Sequence, residues 1–293
     1  MKSSSNLDAF LIIAFLVFVM LVSPPQDSNK KESGFGLSTV SRSSILNKDS
    51  QAEGSHRISI SAGNAPYKYQ SYQEYIILDN WGENSVDVTG WQLKNGKDKR
   101  VYRVGTGLQR FSADVAIIPR TSSGDIILGK GERAIVTSGA IAVKTPYKIE
   151  SFKENICTGY IEALPDYAFE PPLMQNCPDP EDELGVENLE RECRLYVERL
   201  SPCRTPLFNQ KDQYGYRCEN CTERGQILSE SCAAFVKEHF NYNGCLKYHG
   251  NDENFSGRTW RIFLGRGWEM WAEDYETIEL FDRFGNLVAS QSY

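Results

Sequence analysis

Cys218 and Cys221 are the pair of side chains best suited to chemistry, because only Glu219 and Asn220 separate them. A Cys-x-x-Cys pair occurs as a redox centre, as half of a zinc site and as a local disulfide. A redox pair of the thioredoxin type opens a helix after a buried strand, whereas this pair lies in a polar stretch. The pattern therefore favours a loop disulfide, and metal binding or redox activity are the alternatives.

Histidines are scarce in this chain, which has only His56, His239 and His249. The last two are the only ones near the Cys-x-x-Cys pair, so they are the candidates that could complete a zinc site with it. No serine lies in a nucleophile-elbow pattern, and no paired-histidine zinc motif occurs in the sequence. We therefore expect no catalytic residues, no cofactor and no enzymatic activity.

A possible calcium loop begins at Asp252, with Asn254 and Ser256 at alternate positions. The twelfth position of such a loop needs a bidentate glutamate, but here it is Phe263. We therefore interpret this stretch as a turn before a strand.

Aromatic residues are concentrated near the C-terminus, at Trp260, Phe263, Trp268, Trp271 and Tyr275. If these side chains were exposed together, they could form a platform for a glycan or another ligand. Packing in the core and at the rim of the last strands is the favoured interpretation.

Charge and cysteine content narrow the class of protein. Lys and Arg number 32 against 39 Asp and Glu, for a net charge of −7, which argues against nucleic acid as the main partner. All eight cysteines lie between Cys157 and Cys245. An even number in one segment indicates disulfides formed in an oxidising compartment, and reduced buried thiols are the alternative.

The N-terminus contains an uninterrupted apolar run from Ala9 to Val22. As a helix these residues rise about 21 Å, short of the hydrocarbon core of about 30 Å, so a membrane span would borrow flanking residues. We expect residues 1–25 to be an uncleaved signal anchor, with a cleaved signal or a buried helix as alternatives. Residues 26–54 are polar and predict a flexible linker that tethers the body to the membrane. The cysteines indicate that this body lies outside the cytoplasm.

Short strands recur between residues 55 and 148, with turn signals between them. The clearest example is Glu74–Leu93, which predicts a hairpin with strands at 75–78 and 86–93 and a turn at 80–84. Ile76 and Leu78 should share one buried face, and Trp91 should plug one end of the core. The other predicted strands lie in the stretches HRISIS, KRVYRV, ADVAIIP, DIILGKGERAIVTSG and AIAVKT. This spacing predicts an antiparallel sandwich or barrel.

Helical signals replace the strands from Cys157 to Cys245. One helix should begin at Asp179–Glu183 and end before Pro202, and another should run from Ser229 to the Asn243–Gly244 pair. If the two helices pack antiparallel, the natural disulfides are Cys193–Cys245 and Cys203–Cys232, with Cys157–Cys177 and Cys218–Cys221 closing local loops. The spacing leaves other pairings open. Strand patterns return at 259–264, 276–281 and 287–288, so residues 151–257 are predicted to be an insertion in one β domain of residues 55–293.

Several stretches together resemble the lamin tail domain, an immunoglobulin-like sandwich found in nuclear lamins and in bacterial surface or secreted proteins. They are EYIILDNWGENSVDVTGW, DIILGKGERAIVTSG and ETIELFDRFGNLVAS. SFKENICTGYIEAL and TWRIFLGRGWEMWAEDYETIEL resemble bacterial members that carry a cysteine-bearing insertion. The resemblance covers about residues 72–293, and it implies a role in binding or anchoring without catalytic residues. The Cys218–Cys221 pair departs from that pattern.

These expectations define a mainly β protein: an immunoglobulin-like antiparallel sandwich with an inserted disulfide-bonded helical hairpin, behind an N-terminal hydrophobic helix. The predicted function is a non-enzymatic binding or anchoring module at a cell surface or in the periplasm, secreted if the N-terminal segment is cleaved. Its partners would be the membrane and a protein or glycan ligand. One alternative is an accessory module of an exported enzyme system that binds the substrate, which could be nucleic acid. The other is a metal or redox protein that uses Cys218 and Cys221.

Overall fold

Strands are the dominant element in the computed structural model, which describes residues 57–140, 149–164 and 168–293. These residues contain thirteen strands and four α-helices. The strands are β1 (Ile58–Ser61), β2 (Tyr75–Asn80), β3 (Val86–Asp87), β4 (Gln92–Asn95), β5 (Tyr102–Val104), β6 (Gly107–Gln109), β7 (Val115–Ile117), β8 (Ile127–Leu128), β9 (Arg133–Gly139), β10 (Phe152–Asn155), β11 (Ser256–Arg266), β12 (Thr277–Phe281) and β13 (Leu287–Ser292). The helices are α1 (Gly159–Glu162), α2 (Arg191–Val197), α3 (Glu230–His239) and α4 (Tyr242–His249).

The larger sheet has five strands in the order β1-β2-β9-β11-β10. All neighbouring strands are antiparallel except β9 and β11, which run parallel with Ile135 opposite Arg261. Ile76 and Leu78 on β2 are fully buried, as their period-two spacing predicts.

The smaller sheet has four antiparallel strands in the order β13-β12-β4-β7. Leu93, Ile278 and Leu280 from this sheet join Ile76 and Leu78 of the larger sheet in one hydrophobic core. Trp91 and Trp271 are also buried there. The prediction of a mainly β protein is confirmed, and two sheets share its main core.

The predicted hairpin over Glu74–Leu93 is wrong in its pairing. β2 pairs with β1 and β9, whereas β3 pairs with β8 and β4 lies in the smaller sheet. The turn between them is real, and the buried Asn80 side chain fixes it: its amide donates to the backbone oxygens of Asn84, Leu128 and Gly129 at 2.9, 2.9 and 3.1 Å. Two of these acceptors, Leu128 and Gly129, lie at the end of β8 and just after it, and β8 is the strand with which β3 pairs. The turn therefore leads the chain from β2 to β8 and does not fold β3 back onto β2.

The stretch DIILGKGERAIVTSG likewise contributes to two different sheets. β8 pairs with β3 and β9 with β2, and a β-turn closed by the Glu132 amide on the Gly129 oxygen at 3.0 Å separates them. The strand predicted in AIAVKT falls mostly on residues 141–148, outside the described residues. The predicted strands near the C-terminus are confirmed as β11, β12 and β13.

A cysteine-rich segment, residues 156–255, connects β10 to β11. These two strands are antiparallel neighbours, with Asn155 opposite Ser256, so the segment leaves and re-enters the sheet at one place. The predicted helix start at Ser229 is confirmed, because Ser229 caps α3 by accepting the Cys232 amide. The expected stop at Asn243–Gly244 is wrong: Asn241 caps a further helix, α4, that contains both residues.

The four disulfides are Cys157–Cys245, Cys177–Cys203, Cys193–Cys232 and Cys218–Cys221. Three predicted pairs, Cys157–Cys177, Cys193–Cys245 and Cys203–Cys232, are therefore wrong.

The wrong pairings have an identifiable cause. Gly185 adopts a left-handed conformation at φ 95°, which interrupts the expected long helix and leaves α2 only from Arg191 to Val197. Cys193 and Cys232 then both lie in the first turns of their helices, so the bond between them joins two helix starts and excludes the antiparallel arrangement.

Arg261 on β11 ties the larger sheet to the cysteine-rich segment. Its Nε donates to Glu154 Oε1 on β10 at 2.5 Å, and its Nη1 and Nη2 donate to the backbone oxygens of Pro171 and Pro172 at 2.6 and 3.0 Å. Arg261 and Glu154 are each only 3% exposed. A buried guanidinium with this many acceptors holds three pieces of chain in one geometry.

Replacing Arg261 with methionine should lower the free energy of unfolding by about 3–5 kcal/mol, because Glu154 is then left buried and unpaired. The matched control is Arg133→Met on the neighbouring strand β9. Its Nε lies 3.0 Å from Asp79 Oδ1, but the side chain is half exposed, so the loss should stay below about 1 kcal/mol. Urea denaturation followed by tryptophan fluorescence measures both losses. Equal losses for the two variants would contradict the anchoring role of Arg261.

Candidate functional site: the cysteine-rich segment

A groove of about 600 Å³ opens on the cysteine-rich segment between α1 and the chain at 201–207. Its apolar lining is Tyr160, Ala163, Leu164, Pro202 and Leu207. A volume of this size lies within the range of about 300–1,000 Å³ that holds small molecules or inserted side chains. The groove is therefore the candidate functional site.

The Cys177–Cys203 disulfide fixes the wall of this groove. Gly159 begins α1 against it, and a Cβ at that position would lie 2.9 Å from Cys203 Cβ and 3.0 Å from Cys177 Sγ. Only glycine allows so close an approach. Cys203 itself has a left-handed backbone at φ 61°, which costs a non-glycine residue about 1–3 kcal/mol. The disulfide and the packing of α1 hold this strained residue at the groove.

Charged groups of both signs lie at the edge of the groove. Arg204 Nη2 is 2.7 Å from Glu223 Oε1, and the two side chains are 53% and 25% exposed. Tyr160 is buried, and burial together with the negative charge of Glu183 raises the pKa of Tyr160 to about 12. Its hydroxyl group, which is protonated at neutral pH like that of any tyrosine, therefore also keeps its proton in moderately alkaline solution.

Glu183 also connects two histidines. Glu183 Oε1 lies 2.7 Å from His239 Nδ1, and Glu183 Oε2 lies 2.9 Å from His249 Nε2. His249 Nδ1 is in turn 2.8 Å from Asp252 Oδ2. The four side chains form a chain of hydrogen bonds that joins α3, α4 and the turn after Pro180–Asp182.

The position of the carboxylates sets the protonation state of His249. Both ring nitrogens lie within hydrogen-bond distance of carboxylate oxygens, and only the imidazolium form of the ring can donate to both. Burial opposes this charge, but the hydrogen bonds and negative charges of Glu183 and Asp252 outweigh it and raise the pKa of His249 above its ordinary value of 6.5.

His239 is held between two aromatic rings. The centroids of Phe235 and Tyr248 are 4.1 and 3.9 Å from its own, both in stacked orientation, and His239 is 7% exposed. A ring so enclosed packs against its neighbours and fixes their orientation. Among the described residues, no group of three or more His, Cys, Asp or Glu side chains is arranged to hold a metal ion.

Cys218 and Cys221 are bonded to each other in a loop. The loop lies against Gln210, whose oxygen accepts the Cys218 amide at 3.2 Å and whose amide donates to the Cys221 oxygen at 3.1 Å. Cys221 is fully buried, whereas Cys218 is partly exposed and borders a hollow that Asn209, Arg217 and Glu219 also line. His239 and His249, the zinc candidates from the sequence, are bonded to Glu183 instead.

The remaining sequence candidates are spread over different surroundings. Trp271 is in the core, Trp260 and Phe263 are partly buried, and Trp268 and Tyr275 are 65% and 88% exposed. The Asp252 stretch forms a turn, in which the Phe255 amide donates to the Asp252 oxygen at 3.0 Å, and β11 follows it.

Two sequence candidates, His56 and the apolar run Ala9 to Val22, lie outside the described residues. Within residues 57–140, 149–164 and 168–293, no helix combines the length and apolar character needed to cross a membrane.

Sequence reasoning missed Tyr160, Glu183 and Arg204. Glu183 ends an acidic run that predicts the start of a helix, where acids are ordinarily exposed toward solvent. Gly185, two residues later, is the local sequence signal that this helix is interrupted, and in the structure it adopts a left-handed conformation. Tyr160 and Arg204 acquire their setting from the Cys177–Cys203 bond, which brings distant parts of the chain together.

Comparison with protein-family models found no match, and a search of the curated proteins also found none.

Replacing His249 with glutamine should destabilise the protein more at pH 6 than at pH 9. A raised pKa in the folded state means that the stabilisation is present below the ordinary pKa of 6.5 and is lost as the pH rises through the folded-state value. Hydrogen bonds to a charged group contribute about 1.5–3 kcal/mol each. The loss of unfolding free energy caused by His249→Gln at pH 6 should therefore be measurable by urea denaturation.

A proton NMR titration of the His249 ring provides the direct readout. The folded protein should titrate above 6.5, and Asp252→Asn, which keeps an acceptor and removes a negative charge, should shift the midpoint downward. A midpoint at or below 6.5 in the parent protein would contradict the imidazolium assignment.

Proposed function

We propose that this protein is a non-enzymatic binding module that works outside the cytoplasm and uses the groove on the cysteine-rich segment to hold an apolar side chain of a protein ligand. The observation that carries the proposal is the groove itself, about 600 Å³ in volume, with an apolar lining and charges at its edge. Specific pockets combine such a lining with a few placed polar groups.

The location follows from the covalent structure. All eight cysteines are paired in four disulfides, which form and persist in oxidising compartments. A membrane tether through Ala9 to Val22, with residues 26–54 as a linker, is the arrangement that we propose for the N-terminus on the basis of the sequence.

A lamin-tail-like, immunoglobulin-like sandwich is the fold that we propose for the body. Two sheets that share one core and are built mostly from antiparallel strands support it, as do the motifs at 74–91 and 276–290. In this proposal the sheets are the scaffold, and the segment between β10 and β11 carries the recognition surface.

A protein ligand is favoured over a glycan by the surroundings of the aromatic side chains. A glycan platform needs several exposed aromatic faces side by side. Trp271 is 1% exposed and lies in the core, and the Trp260 indole Nε1 donates to the Ile127 oxygen at 3.0 Å. The groove, by contrast, offers aliphatic and aromatic walls of the kind that bury the apolar anchors of peptides.

Filling the groove should weaken binding. Ala163 is exposed, lines the groove and lies just after α1, so Ala163→Trp can occupy the cavity without disturbing a buried position. Ala234→Trp, at an exposed alanine on α3 outside the groove lining, is the matched control. We expect random peptides selected by phage display on the full-length protein to share an apolar anchor residue.

The affinity of the selected peptide should then fall at least tenfold with Ala163→Trp and stay unchanged with Ala234→Trp, as measured by isothermal titration calorimetry. A peptide that binds both variants equally well would place recognition elsewhere on the protein, and a library that yields no apolar anchor would reject the proposed ligand chemistry.

A further inference from the structure

The four disulfides differ in the exposure of the cysteine residues that form them. Of the eight cysteines, all within the described residues, seven are buried and Cys218 alone is partly exposed. Thiol–disulfide exchange needs a thiolate to reach a sulfur atom from outside, so access decides which bond reacts. Cys218 is therefore the cysteine to which we assign attack by an external thiolate.

The Cys218–Cys221 bond also differs in what it supports. Cys193 and Cys232 belong to one hydrophobic cluster, and Cys157, Cys177, Cys203 and Cys245 belong to another. Cys218 and Cys221 belong to none of the hydrophobic clusters of the described residues. Opening their bond therefore breaks no disulfide between members of these clusters.

Backbone hydrogen bonds hold the loop independently of its sulfurs. The Cys218 amide donates to the Gln210 oxygen, the Gln210 amide to the Cys221 oxygen, and the Asn209 amide to the Glu219 oxygen, at 3.2, 3.1 and 3.2 Å. The loop can therefore keep its shape when the disulfide opens, and the two sulfurs stay close enough to join again.

The surroundings also suit the attacking thiolate that exchange requires. Arg217 borders the hollow at Cys218, where its positive charge favours the approach of an anionic nucleophile, with Glu219 as the opposing charge.

We propose that Cys218–Cys221 is a thiol-exchange centre that accepts two electrons from a dithiol, while the other three disulfides are structural. A thiolate of the dithiol attacks Cys218 Sγ, the bond between Cys218 and Cys221 breaks, and Cys221 leaves as a thiolate that takes a proton from solvent. The second thiol of the dithiol, once deprotonated, attacks the mixed disulfide and releases Cys218. The dithiol ends as a disulfide, and Cys218 and Cys221 end reduced. The observations that support this activity do not include the groove proposed for ligand binding.

Selective reduction tests the proposal. The full-length protein is treated with dithiothreitol, quenched with N-ethylmaleimide at increasing times and mapped by mass spectrometry. Cys218 and Cys221 should be labelled at least tenfold faster than any other cysteine, and the near-ultraviolet circular dichroism should be unchanged at that stage. Reduction of another pair first or at the same rate, or loss of the near-ultraviolet signal with this pair, would overturn the proposal.

Two single substitutions test the direction of attack, because each leaves one thiol. The Cys218 thiol of Cys221→Ser should form a mixed disulfide with oxidised glutathione at least tenfold faster than the Cys221 thiol of Cys218→Ser. Equal rates would overturn the assignment of Cys218 as the attacked sulfur. The double variant Cys218→Ser/Cys221→Ser should keep the folded circular dichroism spectrum, and its failure to fold would make this bond structural and so overturn the proposal as well.

A redox buffer distinguishes a disulfide that is reversibly reduced and reoxidised from one that is only easily reduced. In mixtures of reduced and oxidised glutathione, the Cys218–Cys221 pair should reach a reversible ratio of dithiol to disulfide from either direction, while the other six cysteines stay oxidised. A pair that stays fully oxidised over the whole range of buffers would refute exchange at this site.

Discussion

The Cys157–Cys245 disulfide imposes the constraint on which the cysteine-rich segment depends. β10 and β11 are neighbours in the larger sheet, so a segment of 100 residues must return to the place where it left. The disulfide closes that path across 88 residues, just after β10 and within α4. In the chain-entropy account, a loop of this length gains about 4.5 kcal/mol from its bond, whereas the short Cys218–Cys221 loop gains about 2 kcal/mol. The Cys157–Cys245 bond is therefore expected to contribute more to the free energy of unfolding than the Cys218–Cys221 bond does.

Buried acidic side chains also stabilise the fold, because each binds chain segments that are distant in sequence. Glu74 is fully buried, and its carboxylate accepts the amides of Met270 and Trp271 at 2.7 and 3.0 Å. Burial raises the pKa of Glu74 to about 7 despite these donors. Glu276 accepts the Gly96 amide at 2.8 Å, across 180 residues of sequence. Glu154 and Glu183 play the same part for the cysteine-rich segment through Arg261 and the two histidines.

Local pattern predicted the elements of this fold better than their partners. The alternation of Ile76 and Leu78, the cap at Ser229 and the strands at 259–264 and 276–281 depend on neighbours in sequence, and all are found in the structure. Pairing depends on contacts between distant residues. Asn80 looked like an ordinary turn residue, yet its side chain is buried and bonded to Leu128 and Gly129. The sequence spacing of the cysteines could not yield the connectivity, because that required the break at Gly185 and the extra helix α4.

The candidate site was predictable only in outline, as a property of the segment between Cys157 and Cys245. The groove and the Cys218–Cys221 disulfide share one short stretch of chain. Glu223, at the edge of the groove, lies two residues after Cys221. The bridge between Cys221 and Ile227 and the bond from the Gly225 amide to the Thr222 oxygen form the turn that carries Glu223. Any change in that turn on reduction would alter the ion pair with Arg204. Thermodynamic linkage then requires reciprocity: if reduction changes the affinity of the groove for a ligand, the ligand must change the reduction equilibrium by the same factor.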